Sequence, residues 1–379
     1  MRRRAALVLA FVLALLAAPW PAHAGPRFRV AFINIGEPAP FWDVYTAVIA
    51  AAANDLDIDL EILNARGDHL RMIEFAREIA ARPVRPDYFL INNEKGTAGR
   101  MLEAAAAVGL KTLVIMSTFD PSEVQRYGRP REKYANFLGT LRPDNERAGF
   151  ELACLLIEAA RDHFPAPVRL LAISGAKATQ AATDRNRGLE QALTLAPTDV
   201  ALAQLVHSEW RRDKASRQIA GLLRRWPDTR VIWAANDPMA LGAMDAAVAK
   251  GLKPGQDVFI GGVNLSVEVL RRVRAGEMVA SVGGHFLGGA WALVMLRDYH
   301  DGIDFASEGL EQVFPMGAIE RTNVDAYLEH FGDQCWDKID FTRFSKSMNP
   351  KLKHYEFTLD KVLDQFRRTS PPQRRSAGQ

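Results

Sequence analysis

Short runs of apolar residues alternate along the chain with longer stretches in which apolar residues recur every three or four positions, from Phe28 to about Tyr299. The first kind reads as strands, the second as amphipathic helices. The pattern predicts strands at Arg29–Ile35, Asp59–Asn64, Tyr88–Asn92 and Thr112–Met116. Helices through Tyr45 to Ala52, over Leu70–Ala81 and over Gly99–Val108 separate them. Residues Ser117–Leu141 break the rhythm; they are polar, with proline, glycine and charge, and read as a long loop placed to cover a cleft. The rhythm resumes with a helix over Asn145–Ala160 and strands at Val168–Ser174, Val200–His207, Val231–Ala235, Val258–Gly262 and Met278–Val282. Helices at Ala181–Leu195, Asp213–Arg225, Val267–Ala275 and Leu287–Tyr299 are interleaved, with another opening at Pro238.

Such alternation is the signature of a parallel sheet covered on both faces. Two successive runs of it predict an α/β fold of two open parallel-sheet, Rossmann-like lobes, and 379 residues exceed what one core comfortably serves. The expected division is residues 25–141 plus 285–312 for lobe 1 and 142–284 plus 313–340 for lobe 2, joined by a hinge of three chain crossings. Residues 341–379 form a C-terminal extension with one amphipathic piece, Leu359–Phe366, and a tail, Thr369–Gln379, of disordered composition.

The first 24 residues have the layout of a secretory leader: Arg2-Arg3-Arg4, an apolar run from Ala5 to Ala18, and a small-x-small site at Ala22-His23-Ala24. The run is short for a membrane span, and no other apolar run approaches one. Cleavage after Ala24 removes three of the 48 basic residues and none of the 45 acidic ones, leaving a formally neutral chain that lacks the basic face of a nucleic-acid binder. Of the two cysteines, Cys154 shares a helix face with Leu152, Leu155 and Leu156 and reads as a buried thiol; an oxidising compartment permits a link to Cys335 but the spacing does not require one. There is no C-x-x-C or His/Cys cluster, so no metal site or cofactor is expected.

Ligands of open α/β sheets bind beyond the carboxyl ends of the strands. The residues at those places are Phe41 and Trp42, Asn92, Arg185, Trp210, Asn236, Asn264 and His285. Aromatic faces suit the C–H face of a sugar ring, and amides and a guanidinium suit its hydroxyls. The set is poor for catalysis: it has no G-x-S-x-G elbow, no G-x-G-x-x-G and no paired carboxylates. Each position has a plainer reading. Asn236 caps a helix, Phe41 and Trp42 staple one, Trp210 fills core, Arg185 pairs with Asp184 or Glu190, and His285 fills space.

The chain resembles the ribose/galactose-type periplasmic binding proteins, solute receptors of ABC importers and of chemotaxis or quorum-sensing receptors. The resemblance rests on PFW after the first strand, FLINNE, PDNERAG, ATDRNRGLE, WAANDPMALGA, GGVNLS and GEMVASVGGHF, and spans about residues 28 to 325. It implies the type I architecture, no catalysis, and a monomer that hands a neutral sugar-like ligand to a membrane permease. It also implies that aromatics at 41–42 and 210 sandwich a ring whose hydroxyls Arg185 and Asn236 bind. Three positions depart from the family pattern. Met116-Ser117 stands where Asp-Arg is frequent, Ala39 where a polar residue is, and Asn264 where Asp is. The lost carboxylates open the reading to a modified sugar, a cyclic polyol or a furanose. A periplasmic sensing subunit of a membrane kinase or cyclase is the alternative role; a repressor's ligand domain and a periplasmic enzyme are the more distant ones.

Overall fold

The computed structural model describes residues 27–367 apart from 37–39 and 197. The leader, Ala39 and the tail from Thr369 lie outside the described residues. In chain order the strands are β1 Phe28–Asn34, β2 Ile58–Asn64, β3 Tyr88–Asn92, β4 Lys111–Ile115, β5 Phe137–Pro143, β6 Val168–Ser174, β7 Val200–His207, β8 Thr229–Ala234, β9 Phe259–Val263, β10 Ala280–Gly283, β11 Glu311–Phe314 and β12 Gly317–Glu320. The helices are α1 Pro40–Asp55, α2 His69–Ala81, α3 Ala98–Ala106, α4 Pro121–Tyr127, α5 Asn145–Arg161, α6 Gln180–Leu195, α7 Arg212–Arg225, α8 Asp237–Ala249, α9 Val267–Arg274, α10 Gly288–His300, α11 Val324–Phe331 and α12 Leu359–Asp364.

Two six-stranded sheets result, ordered β2-β1-β3-β4-β5-β11 and β7-β6-β8-β9-β10-β12. The first is parallel throughout. The second is parallel except for β12, which runs antiparallel to β10. Strands such as β3 are buried at every position, as sheets covered on both faces require. The α/β expectation of two open sheets is met. The chain passes between the sheets after β5 near Asp144, after β10 at Gly284 and between β11 and β12 at Pro315-Met316. Two crossings are tied together where Asp144 N donates to Phe314 O, at 2.8 Å.

Two readings of the sequence need correction. The stretch Ser117–Leu141 holds α4 and most of β5. The signal for α4 was present: Asp120 and Glu123 form a reciprocal capping box with Pro121 in the first turn. Strand β5 was masked by its polar neighbours, although its residues are buried in all but one position. Of this stretch Ser117 lines the cleft described below, and Thr118 reaches across its mouth. Second, β11 and β12 carry too few apolar residues to be read from pattern; their half-exposed edge positions explain this.

Beyond β12 the chain runs back toward the helices of the first sheet. After α11, which packs on α9, the turns 336–338 and 341–344 pack against α1 and α10. Trp336, Phe341 and Phe344 are buried, and Trp336 stacks on Phe331 of α11 at 5.3 Å. Trp291 of α10 gathers Phe344, Phe357 and Phe341 around its ring, with Phe357 stacked at 5.0 Å. Asp298, fully buried, accepts from Ser345 Oγ (2.6 Å), Lys346 N (2.9 Å), Ser347 N (2.9 Å) and Tyr355 Oη (3.0 Å). The extension then reaches the crossings, where Leu359 lies over Gly284 and Gly317, and Phe366 stacks on His330 of α11 at 4.8 Å.

Cys154 is half-buried and Cys335 exposed; both are free thiols. Burial raises the Cys154 thiol above its usual range. No helix among the described residues is long and apolar enough to cross a membrane.

Candidate functional site

Both sheets have the order 2-1-3-4-5 in their own strand count, so each has one point where successive connections leave in opposite directions. In the first sheet that point lies between β1 and β3, in the second between β6 and β8. Loops diverge there and leave a crevice at the carboxyl ends of the strands. The two crevices face one another and form a cleft of about 1840 Å³. All eight candidate residues line it: Phe41 and Trp42 at the start of α1, Asn92 at the end of β3, Arg185 on α6, and Trp210, Asn236, Asn264 and His285 after β7, β8, β9 and β10. The lobes touch at the mouth, where Thr118 N donates to Gln180 Oε1 at 2.9 Å.

Arg185 is held from below by helix packing. Helices α5 and α6 meet backbone to backbone: a Cβ on Gly149 would lie 2.1 Å from the Arg185 carbonyl oxygen, and one on Gly188 would lie 2.0 Å from that of Glu146. The glycines of PDNERAG and DRNRG are thus the reason the Arg185 side chain reaches the cleft floor. Its Nε donates to Asn145 Oδ1 (2.9 Å) and its Nη1 to the Ala235 carbonyl (2.6 Å). No carboxylate pairs with it, so the suggested pairing with Asp184 or Glu190 is not formed; Asp184 pairs with Arg187 at 3.4 Å. Burial lowers the guanidinium to about 10, opposed by Asp237 and Asp184, and it stays charged at neutral pH.

Trp210 lies with its ring centroid 5.7 Å from that guanidinium. It and Glu209 have φ of 64° and 53°, in the left-handed region. Lys95, Met116 and Asn264, also in the cleft, have positive φ as well. Strained backbone collects where function fixes the geometry. Asn236 serves as the cap of α8, its Oδ1 accepting from Met239 N (2.9 Å), and its Nδ2 donates to the Trp210 carbonyl (3.2 Å). The cap reading of Asn236 is therefore realised while its side chain still borders the cleft.

On the facing side, Phe41 and Trp42 meet edge to face at 5.1 Å, and Phe41 stacks on His285 at 4.6 Å. His285 is 3 % exposed and its Nδ1 has no partner. Burial, then the positive Arg185, hold its imidazole well below the usual range, so it is neutral. Asn92 is 4 % exposed, and neither its Nδ2 nor its Oδ1 has a partner. Buried amides are nearly always satisfied, so an orphaned one facing a cleft marks a place where something else bonds.

Sequence reasoning missed Asn145, which orients Arg185, and Gln180, which spans the mouth. Asn145 stood within a quoted motif and Gln180 just before another, but their partners lie 40 and 62 residues away in sequence. The outer rim carries paired charges: Arg211 with Asp213 at 2.7 Å, Lys214 with Glu209 at 2.8 Å and Arg212 with Asp245 at 2.8 Å. Exposed pairs of this kind contribute about 0–1 kcal/mol and do not define the ligand.

Two facing sheets with one cleft at both switch points define a two-lobed ligand receptor, and the chain belongs to the periplasmic binding protein family, whose domain matches residues 30–302. It is similar to a periplasmic sugar-binding protein from Pseudomonas fluorescens of known structure, at 36% identity and a TM-score of 0.80, covering 89% of this chain and 99% of that one. The galactofuranose-binding protein YtfQ of Escherichia coli is 22% identical over 67% of this chain and 76% of its own length. The ribose import binding protein RbsB of Haemophilus influenzae is 24% identical over 61% of this chain and 70% of its own.

Proposed function

We propose that this protein is the solute receptor of an ABC importer, capturing a small neutral polyhydroxylated ligand, a sugar or a close relative of one, between its two lobes. The observation that carries the reading is Asn92: a buried amide with neither polar atom satisfied, on the floor of a cleft that also holds aromatic faces and an unpaired arginine. A ring placed between Phe41/Trp42 and Trp210 buries its C–H face, while its hydroxyls find Asn92, Arg185, Asn264 and His285 Nδ1. Each hydroxyl left unpaired after water is expelled would cost about 1–3 kcal/mol, so the number of orphaned groups matches a polyol better than an apolar ligand. One arginine among amides makes no cage for an anion, and a neutral ligand fits that balance.

The protein acts as a monomer in the periplasm, its mature chain beginning at Gly25 after removal of the leader. It binds and releases without chemistry. Lobe 1 carries the first sheet and lobe 2 the second, and they close about the crossings at Asp144, Gly284 and Pro315-Met316. The importer reading is preferred to a sensing subunit because relatives include import binding proteins. Native mass spectrometry of freshly purified protein tests the proposal: a bound mass of a mono- or disaccharide or polyol supports it, and an amino acid or peptide in the cleft refutes it.

A further inference from the structure

Behind the cleft lies a buried carboxylate that the ligand site does not use directly. Asp237 has no solvent exposure and follows Asn236. Its Oδ1 accepts from Ser281 Oγ of β10 (2.8 Å) and its Oδ2 from Ser266 N at the start of α9 (2.7 Å). Ser281 Oγ in turn accepts from Leu265 N at 3.0 Å. Both partners thus flank one turn, Asn264-Leu265, whose φ values are 152° and 62°. Leucine in the left-handed region is unfavourable by itself and persists only where surroundings impose it. Here they do. Asn264 N donates to Val282 O at 2.9 Å, and Gly262 leaves room for the carboxylate, since a Cβ there would lie 2.5 Å from Asp237 Oδ1. The charged group facing Asp237 is Arg185, from α6; Tyr327, from α11, is the other titratable neighbour.

We propose that Asp237 and Ser281 are positioning residues of the ligand site: together they hold the Asn264-Leu265 turn in the conformation that presents the Asn264 amide to the cleft. The inference rests on the proposed sugar-receptor reading for its effect on affinity, but not for the geometry of the turn. Both carboxylate oxygens act as acceptors; Ser281 Oγ can reverse its bond to a protonated acid, but a proton on Oδ2 displaces the Ser266 N–H, which can only donate. Burial raises Asp237 to about 6, against a usual value of 3.8. The acid therefore ionises between pH 5 and 7 in the folded protein, and ligand affinity falls as pH drops through about 6. If binding needs the carboxylate, linkage gives a loss of about tenfold from pH 7 to pH 5. His285, held well below its usual range, does not contribute in that window.

The test has two arms. In ligand-free protein, amide NMR signals of Leu265 and Ser266 should titrate together between pH 7 and 5, and Asp237→Asn should abolish the titration. Asp184→Asn, which removes the other buried acid near Arg185, should leave it in place. For affinity, calorimetry uses D-ribose, D-galactose, L-arabinose and D-allose, and the tightest binder serves as probe. Ser281→Ala should weaken it about tenfold in the wild type and hardly at all in an Asn264→Ala background, since both changes remove the same amide. Ser281→Thr, which keeps the hydroxyl, should restore binding. Signals that do not titrate overturn the proposal, as do additive losses in the double mutant. If none of the four sugars binds, the ligand that native mass spectrometry finds on the purified protein serves as probe; an amino acid or peptide there refutes the receptor reading instead and leaves the NMR arm to decide the turn.

Discussion

Replacing Arg185 with methionine should separate ligand binding from folding. The side chain is buried without a carboxylate partner, and its two hydrogen bonds go to neutral oxygens. The fall from 12.5 to about 10 corresponds to about 3 kcal/mol set against the charged form by burial. Methionine of similar length removes that penalty, and Asn145, which lines the cleft, stays within reach of water. The ligand-free melting temperature should therefore hold or rise. Binding should weaken, because a hydrogen bond from a charged donor contributes roughly 1.5–3 kcal/mol, which is about ten- to a hundredfold in Kd. Arg185→Lys keeps the charge but cannot span Asn145 and Ala235 with one planar fork, and should lose an intermediate amount. Thermal melts and calorimetry with the co-purifying ligand measure both quantities. Wild-type affinity in Arg185→Met would refute the assignment. A melting point lowered by many degrees would show that the arginine serves the fold.

Gly149→Val should force α5 off α6, since even a Cβ would sit 2.1 Å from the Arg185 carbonyl oxygen; the cost should reach or exceed about 1–3 kcal/mol in urea unfolding. Asp298→Ala leaves four donors without their acceptor and should destabilise by about 3–5 kcal/mol, with tryptic cleavage between Arg343 and Lys353 rising before global unfolding. Saturating ligand should reduce the radius of gyration seen by X-ray scattering as the lobes close; an unchanged value would contradict a closing receptor.

The parallel sheets were legible because βαβ units repeat apolar strands at short intervals, and β3, β6 and β7 fall at their expected bounds. The cleft residues were legible for a related reason. Once the strands are placed, the switch-point rule says where their ends point. What pattern could not reveal depends on distant partners. Strand β11 is half-exposed and gains meaning only by pairing with β5, and β12 only by pairing with β10. The return of the extension to the first lobe rests on Asp298 and Trp291, whose partners Ser345 and Phe357 lie 47 and 66 residues further on. Asp237 carried no role in the sequence reading; its partners Ser266, before α9, and Ser281, in β10, lie 29 and 44 residues further on.

Calorimetry of the mature protein against sugars, polyols, amino acids and dicarboxylates tests the central claim most directly. The account predicts a neutral sugar or polyol binding in the micromolar range or tighter, with a heat lost in Arg185→Met and Trp210→Ala and kept in a change far from the cleft such as Arg82→Ala. An amino acid or a dicarboxylate binding at that level, with no sugar or polyol doing so, would contradict it.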